Sequence, residues 1–287
     1  MRDLPPTAKP PFDLSELIWR GFIWFRRQYR LAFRGMRDRW NRHLTTEVMP
    51  YVGYASRSRA FVKGRVLKDR SITPATPADS RWRNLVNTYK RFTSHDVPHA
   101  KVRVTLGAYS YLLSANEEGY VEGWLRLPEP LVEGWQEARF ELLEPAGGGV
   151  TYGKVLVPPA VCRFGVISDI DDTVMQTDAR RWLKVIITVL IGNAVTRVPF
   201  KGVAAFYQAL QQGASGDEHN PLFYVSSSPW NLFDLLQQFL ELEKIPLGPL
   251  MLRNWGITAR ERPTVHGSYK NAAIHDIMNT FPELPFI

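Results

Sequence analysis

The chain has 287 residues, 45% of them hydrophobic and 22% charged, a composition that suits a globular protein of one large or two ordinary domains. Its formal charge of +8 and pI near 9.6 call for an anionic partner: phosphate esters, nucleic acid or an acidic membrane surface. The single cysteine, Cys162, excludes an internal disulfide and a cysteine-based zinc cluster, and is compatible with a reducing compartment. The longest apolar run, VIITVLIG at 185 to 192, falls far short of the about 20 residues that a membrane-spanning helix needs. The proline-rich start, MRDLPPTAKPPF, lacks the apolar centre of a secretory signal. A soluble cytoplasmic protein is expected, or one bound peripherally at a membrane.

Residues 13 to 43 read as one long helix, capped by Asp13 or Ser15 and kept from extending backwards by Pro10 and Pro11. At 100° per residue, Leu14, Leu17, Ile18, Phe22, Phe25, Tyr29, Phe33, Met36 and Trp40 share one face, and Arg20, Arg26, Arg27, Arg30, Arg34 and Arg37 crowd the other. A basic, aromatic amphipathic helix suits an anionic membrane surface. The alternatives are a helix packed on the next domain with a solvated arginine face, or, more weakly, an RNA-binding arm. Nucleic acid is not the expected partner.

From about 48 to 157 the pattern changes to short alternating runs parted by turn residues, among them RAFVKGRVLK, HAKVRVTLG, AYSYLLSA, YVEGWLRLP, EARFELLE and YGKVLVP. In AKVRVTL, Val102, Val104 and Leu106 alternate with Lys101, Arg103 and Thr105, which predicts a sheet with one solvated face in a β-sandwich-like domain. A Pro/Ser/Thr-rich loop and a short amphipathic helix interrupt it over residues 71 to 92. Nothing catalytic stands out in this stretch.

After VPPA at 157 to 160, strand and helix alternate: VCRFGVIS, FKGVAAFYQALQQ, PLFYVSSS, NLFDLLQQFLELEKI, GPLMLR, YKNAAIHDIMNTF, and LPFI as the start of a fourth strand. Near-continuous apolar strands joined by helices predict an α/β fold with a doubly wound parallel sheet, whose ligands bind at the carboxyl ends of the strands. The residues at those ends are Asp169, Asp171, Asp172 and Thr173, then Ser226, Ser227 and Ser228, then Arg253 and Asn254, with Lys270 opening the next helix. Such a set suits phosphoryl transfer. One carboxylate attacks phosphorus and a second, two residues on, protonates the leaving alkoxide. Hydroxyl and lysine hold the phosphoryl oxygens, and a hard cation offsets the crowded negative charge.

DIDDT behind an apolar strand, FYVSSS ending the second strand, and Lys270 resemble motifs I, II and III of the haloacid dehalogenase superfamily. More narrowly, SDIDDTV, PFKGVAAFYQAL, FYVSSSPWNLFDLLQQFLE, GPLMLRNWG and FPELPFI together resemble the catalytic domain of the actin-patch-associated, magnesium-dependent phosphatidate phosphatases and their bacterial relatives, over about 160 to 287. The resemblance implies Asp169 as nucleophile and Asp171 as general acid/base, both on magnesium, with Ser226 on the phosphoryl group. It leaves Thr173, Ser227 and Arg253 as substrate-binding candidates, each also open to a structural role. The domains expected are 1–47 (tail and basic helix), 48–158 (β-sandwich-like) and 159–287 (catalytic, of the haloacid dehalogenase type).

The implied reaction is hydrolysis of phosphatidate, a phospholipid, through an aspartyl-phosphate. A catalytically impaired membrane-binding or scaffold protein and a phosphatase for a soluble ester are the alternatives. The superfamily completes its metal site with a fourth, acidic motif after strand four. The sequence stops at Ile287 inside that strand, which reads as an interrupted longer enzyme, against a degenerate member that binds without turnover. Composition says nothing of oligomeric state.

Overall fold

Side-chain alternation along the strands decides where the first core forms. The computed structural model describes residues 45–69, 95–170, 202–253 and 266–287. The helix expected at 13 to 43, the interruption at 71 to 92 and the apolar run at 185 to 192 lie outside them. Nine strands make one sheet: β1 (Thr45–Pro50), β2 (Gly53–Ala55), β3 (Arg59–Asp69), β4 (His95–Asp96), β5 (Lys101–Leu106), β6 (Tyr109–Ser114), β7 (Tyr120–Arg126), β8 (Gly134–Glu144) and β9 (Val150–Val157). Its main path runs β1-β3-β2-β9-β8-β5-β6, with β4 and β7 also pairing with β3. All pairings are antiparallel except β2 with β9.

The period-two pattern works as expected in β5, whose Val102, Val104 and Leu106 are fully buried while Lys101 and Arg103 face outwards to Glu144 and Glu141. Val62 and Val66 of β3, Val121 and Leu125 of β7, and Phe140 of β8 join them in one core. The opposite face of β3 carries Arg59, Phe61, Lys63 and Arg65, and that face turns towards the C-terminal part. Gly53 lets β2 approach β3 closely, because a Cβ there would stand 2.4 Å from the Phe61 carbonyl oxygen.

The C-terminal part holds β10 (Val166–Asp169), α1 (Val203–Gln212), β11 (Leu222–Pro229), a 3-10 turn (Trp230–Leu232), α2 (Phe233–Leu242), β12 (Leu250–Arg253) and α3 (His266–Thr280). The strands pair in parallel in the order β10-β11-β12. Beyond β10 the chain end runs alongside in parallel: Ile287 N donates to the Gly165 carbonyl at 3.0 Å, and Ile167 N to the Ile287 carbonyl at 3.0 Å.

The doubly wound parallel sheet expected from the sequence is overturned. Strand residues are concentrated in the mixed, largely antiparallel sheet, and the parallel sheet has three strands, two of them of four residues each. Apolar runs report that a strand is buried but not what buries it. Here part of the cover comes from the antiparallel sheet and not from helices alone. Tyr54 and Phe61 join Phe223, Val225, Met251 and Ile277 in one core, and Tyr51, Val52 and Tyr120 join Leu222, Tyr224, Trp230 and Leu236 in another.

Asn220 anchors the loop before β11. It is fully buried; its side-chain oxygen accepts from the Arg163 and Phe164 amides at 2.8 and 3.3 Å, and its amide donates to the Leu210 carbonyl at 3.1 Å and to Glu218 Oε2 at 2.9 Å. Asn220→Ala leaves these buried partners unsatisfied and is expected to cost about 3 kcal/mol. Urea unfolding measures it, and a loss of less than about 0.5 kcal/mol contradicts the assignment.

Candidate active site

The register of the parallel sheet brings the expected strand ends together. Asp169, the last residue of β10, pairs with Val225, so Ser226 lies one position further along the neighbouring strand and pairs with Leu252 of β12. Ile167 and Asp169 share a face with Phe223 and Val225, because register partners in a parallel pair project to the same side. That face is the one on which α3 packs. Accordingly Lys270, on the first turns of α3, donates from Nζ to Asp169 Oδ2 in a charge-assisted hydrogen bond. The Lys270 and Asp169 side chains are 21% and 28% exposed, so the pair is open to a small ligand without lying flat on the surface.

On the other face, Ser168 is hydrogen-bonded through its hydroxyl to the Tyr207 phenol of α1. Ser226 is fully buried and its Oγ accepts from the Ser228 amide at 3.0 Å, within the stretch of β11 where the register to β12 shifts between Ser226 and Pro229. Ser227 is half-buried beside it. Arg253 ends β12 in register with Pro229. α3 is fixed at both ends of its packed face: the Tyr269 phenol donates to the Leu252 carbonyl at 2.5 Å, and Arg59 of β3 donates to the Asn279 carbonyl at 3.1 Å and to Thr280 Oγ1 at 3.0 Å. A guanidinium on the last carbonyls of a helix also suits the negative end of its dipole.

Of the residues singled out in the sequence, Asp169 and Lys270 are bonded to each other, while Ser226, Ser227 and Arg253 stand at the neighbouring strand ends. Asp171 and Thr173 lie outside the described residues. Among the described residues, no three His, Cys, Asp or Glu side chains gather into a group able to hold a metal. No described helix is long and apolar enough to cross a membrane.

The antiparallel sheet adds residues that sequence reading passed over. Lys63, 5% exposed, is paired with Glu122 and sits 4.4 Å from the centroid of the Trp230 ring, just past the end of β11. Tyr51 stacks on Trp230 at 4.6 Å and packs tilted against Phe233 at 4.5 Å, and burial, the largest cause, pushes its phenol well above its ordinary pKa. Burial likewise pushes the Tyr120 phenol up to about 12. Lys63 and Arg65 occupy alternate positions of a strand, the spacing of an ordinary solvated face, so no local signal distinguishes them.

Comparison with known proteins covers this part of the chain. Residues 164–287 match the family model described as the catalytic domain of phosphatidate phosphatase APP1. The phosphatidate phosphatase APP1 of Saccharomyces cerevisiae is 32% identical over 125 residues, which are 43% of this chain and 20% of that protein; the match thus spans about a fifth of the curated relative. Among solved structures, a CARDB domain from Pyrococcus furiosus with di-metal ions is 16% identical, over 40% of this chain and 86% of that one, at a TM-score of 0.21. A carbohydrate acetylesterase from Xanthomonas citri is 12% identical, over 70% of this chain and 57% of that one, at a TM-score of 0.21. Likenesses this slight carry no argument about fold or chemistry. The residues that match the family model include the bonded pair Asp169 and Lys270.

Proposed function

We propose that the chain is a phosphatase for a lipid phosphate monoester, phosphatidate first among them, and that Asp169 is its nucleophile. The observation that carries this reading is the Asp169–Lys270 bond at the carboxyl end of β10. A carboxylate held by an ammonium group is aimed, and the same ammonium remains beside the phosphoryl oxygens when the carboxylate attacks. Asp169 Oδ2 forms a bond to phosphorus as the bond from phosphorus to the ester oxygen breaks. The departing alkoxide takes a proton from Asp171. Water then attacks the phosphorus of the acyl phosphate, Asp171 takes a proton from that water, and inorganic phosphate leaves with Asp169 restored. In this reading Ser226 or the adjacent Ser227 holds a phosphoryl oxygen, Thr173 steadies the loop after β10, and Arg253 meets the anionic substrate.

Magnesium is the cofactor proposed, on Asp169 and Asp171. Hard carboxylate oxygens suit a hard cation, and among the described residues Asp169 is one such donor. Magnesium would offset the charge of the carboxylates and of the phosphate ester. The motif resemblance to the haloacid dehalogenase superfamily supports the aspartyl-phosphate route, and the domain division at 158/159 is retained as part of this proposal. The arginines expected on one face of residues 13 to 43 would gather anionic lipid, at roughly 1 kcal/mol per basic residue near an acidic surface, which supports a peripheral site at the cytoplasmic face of a membrane.

The test compares phosphate release from vesicles containing phosphatidate with release from a soluble aryl phosphate. Faster turnover of phosphatidate, lost on chelation and restored by magnesium, is expected. Equal or faster turnover of the aryl phosphate makes the substrate a soluble ester, and release from neither leaves a binding protein.

A further inference from the structure

The antiparallel sheet sets one charged residue in particular beside Trp230, just past the end of β11. Lys63 of β3 lies directly opposite Glu122 of β7 in the antiparallel register, and the two are ion-paired. Both project from the face that packs on the C-terminal part. Four residues earlier on the same face, Arg59 holds the last turn of α3. On the first turns of α3, the Glu122 charge raises the Tyr269 phenol, after burial the largest cause, and Tyr269 immediately precedes Lys270. Lys63 also lies 4.4 Å over the Trp230 ring and 5.2 Å from that of Tyr120. Trp230 follows Ser226 by four residues.

Two carboxylate–ammonium pairs therefore belong to the C-terminal half of β11 and its continuation: Asp169, in register with Val225, with Lys270, and Glu122 with Lys63, which lies over Trp230. Their exposures differ in a telling way. Lys63 is buried, whereas the Glu122 side chain is 42% exposed, so the carboxylate is the solvent-facing member. An ammonium that is buried, stacked on an indole and faced by an accessible carboxylate is in a state to exchange that carboxylate for another oxyanion, since the cation–π contact and most of the desolvation are already in place. A phosphate monoester offers the same oxygen chemistry with more charge.

We propose that Lys63, supplied by the antiparallel sheet, is a second cationic ligand for the phosphoryl group of the substrate, with Glu122 as the carboxylate it exchanges. The proposal rests on the phosphatase reading of the site. It makes the nine-stranded sheet part of the substrate site and not a separate module.

The experiment uses the full chain and three variants, Lys63→Met, Lys63→Arg and Glu122→Gln. Steady-state hydrolysis of phosphatidate in mixed micelles, competitive inhibition by inorganic phosphate, and the melting temperature are measured for each. Lys63→Met keeps the length and the indole contact but loses the charge; its KM and its phosphate inhibition constant are expected to rise roughly tenfold or more, with kcat changed far less. Lys63→Arg restores most of that loss, which a purely structural role does not require. Glu122→Gln removes the competing carboxylate and lowers the phosphate inhibition constant several-fold, a readout that stands even where Lys63→Met fails to fold. Unchanged KM and inhibition constants in Lys63→Met or in Glu122→Gln, with an active wild type, overturn the role of Lys63 alone. A wild type that releases no phosphate overturns the phosphatase reading and this inference with it.

Discussion

Asp169→Asn lowers kcat for phosphatidate by roughly three orders of magnitude or more, and the protein still folds. The amide oxygen of asparagine can accept the hydrogen bond that Lys270 Nζ now gives to Oδ2, so the local geometry has a neutral substitute. What disappears is the negative charge and the lone pair that would bond to phosphorus. The pair is roughly a quarter exposed on each side, and an ion pair in that setting contributes about 1 kcal/mol or less to stability. Loss of turnover with a melting temperature within a few degrees of wild type is thus the expected combination. Near-normal turnover in Asp169→Asn removes the nucleophile assignment, whereas loss of both activity and folded protein shows that the carboxylate is structural.

Phe223→Ala has the largest expected effect on stability. Phe223 is fully buried near the start of β11, edge-on to Tyr54 at 5.5 Å and tilted to Phe281 at 5.7 Å and Phe286 at 6.1 Å. It stands where the antiparallel sheet, the parallel sheet and the segment after α3 meet, and Val225, Met251 and Ile277 complete the same core. Truncation there removes a large apolar side chain, opens a cavity that three separate elements would have to close together, and forfeits the aromatic contacts. A loss of about 3–5 kcal/mol is expected, and with it a fall in Tm of roughly 10 °C for a unit of this size. Calorimetry or urea unfolding reads both. A fall of only a degree or two, or unfolding in two separated steps with the first part unaffected, contradicts the shared core.

The contrast between these two residues marks how far the sequence was legible. Asp169, Ser226 and Lys270 stood out because chemistry of the kind proposed leaves a local trace: an apolar strand that ends in carboxylates or hydroxyls is costly unless those groups have work to do. The alternation of Val102, Val104 and Leu106 was equally legible, since one buried face and one solvated face give a pattern of period two. The parallel sheet was drawn too large for a physical reason. The apolar run LFYV in β11 announces burial on both faces, but nothing in it says that Tyr54 and Tyr51, about 170 residues earlier in the chain, supply part of that burial. Lys63 was missed on the same ground. In β3 a lysine between apolar neighbours reads as a solvated position, and only the fold shows Trp230 beneath it. Long-range partners leave no periodicity in either segment.

The central claim is that Asp169 carries the phosphoryl group in transit, and acid quenching during turnover of phosphatidate, followed by borohydride reduction and peptide mass spectrometry, addresses it most directly. An acyl phosphate at Asp169 is reduced to homoserine, so a homoserine at position 169, dependent on substrate and absent from Asp169→Asn, is the predicted result. Substrate-dependent reduction at another carboxylate, with Asp169 intact in an enzyme that turns over, contradicts it.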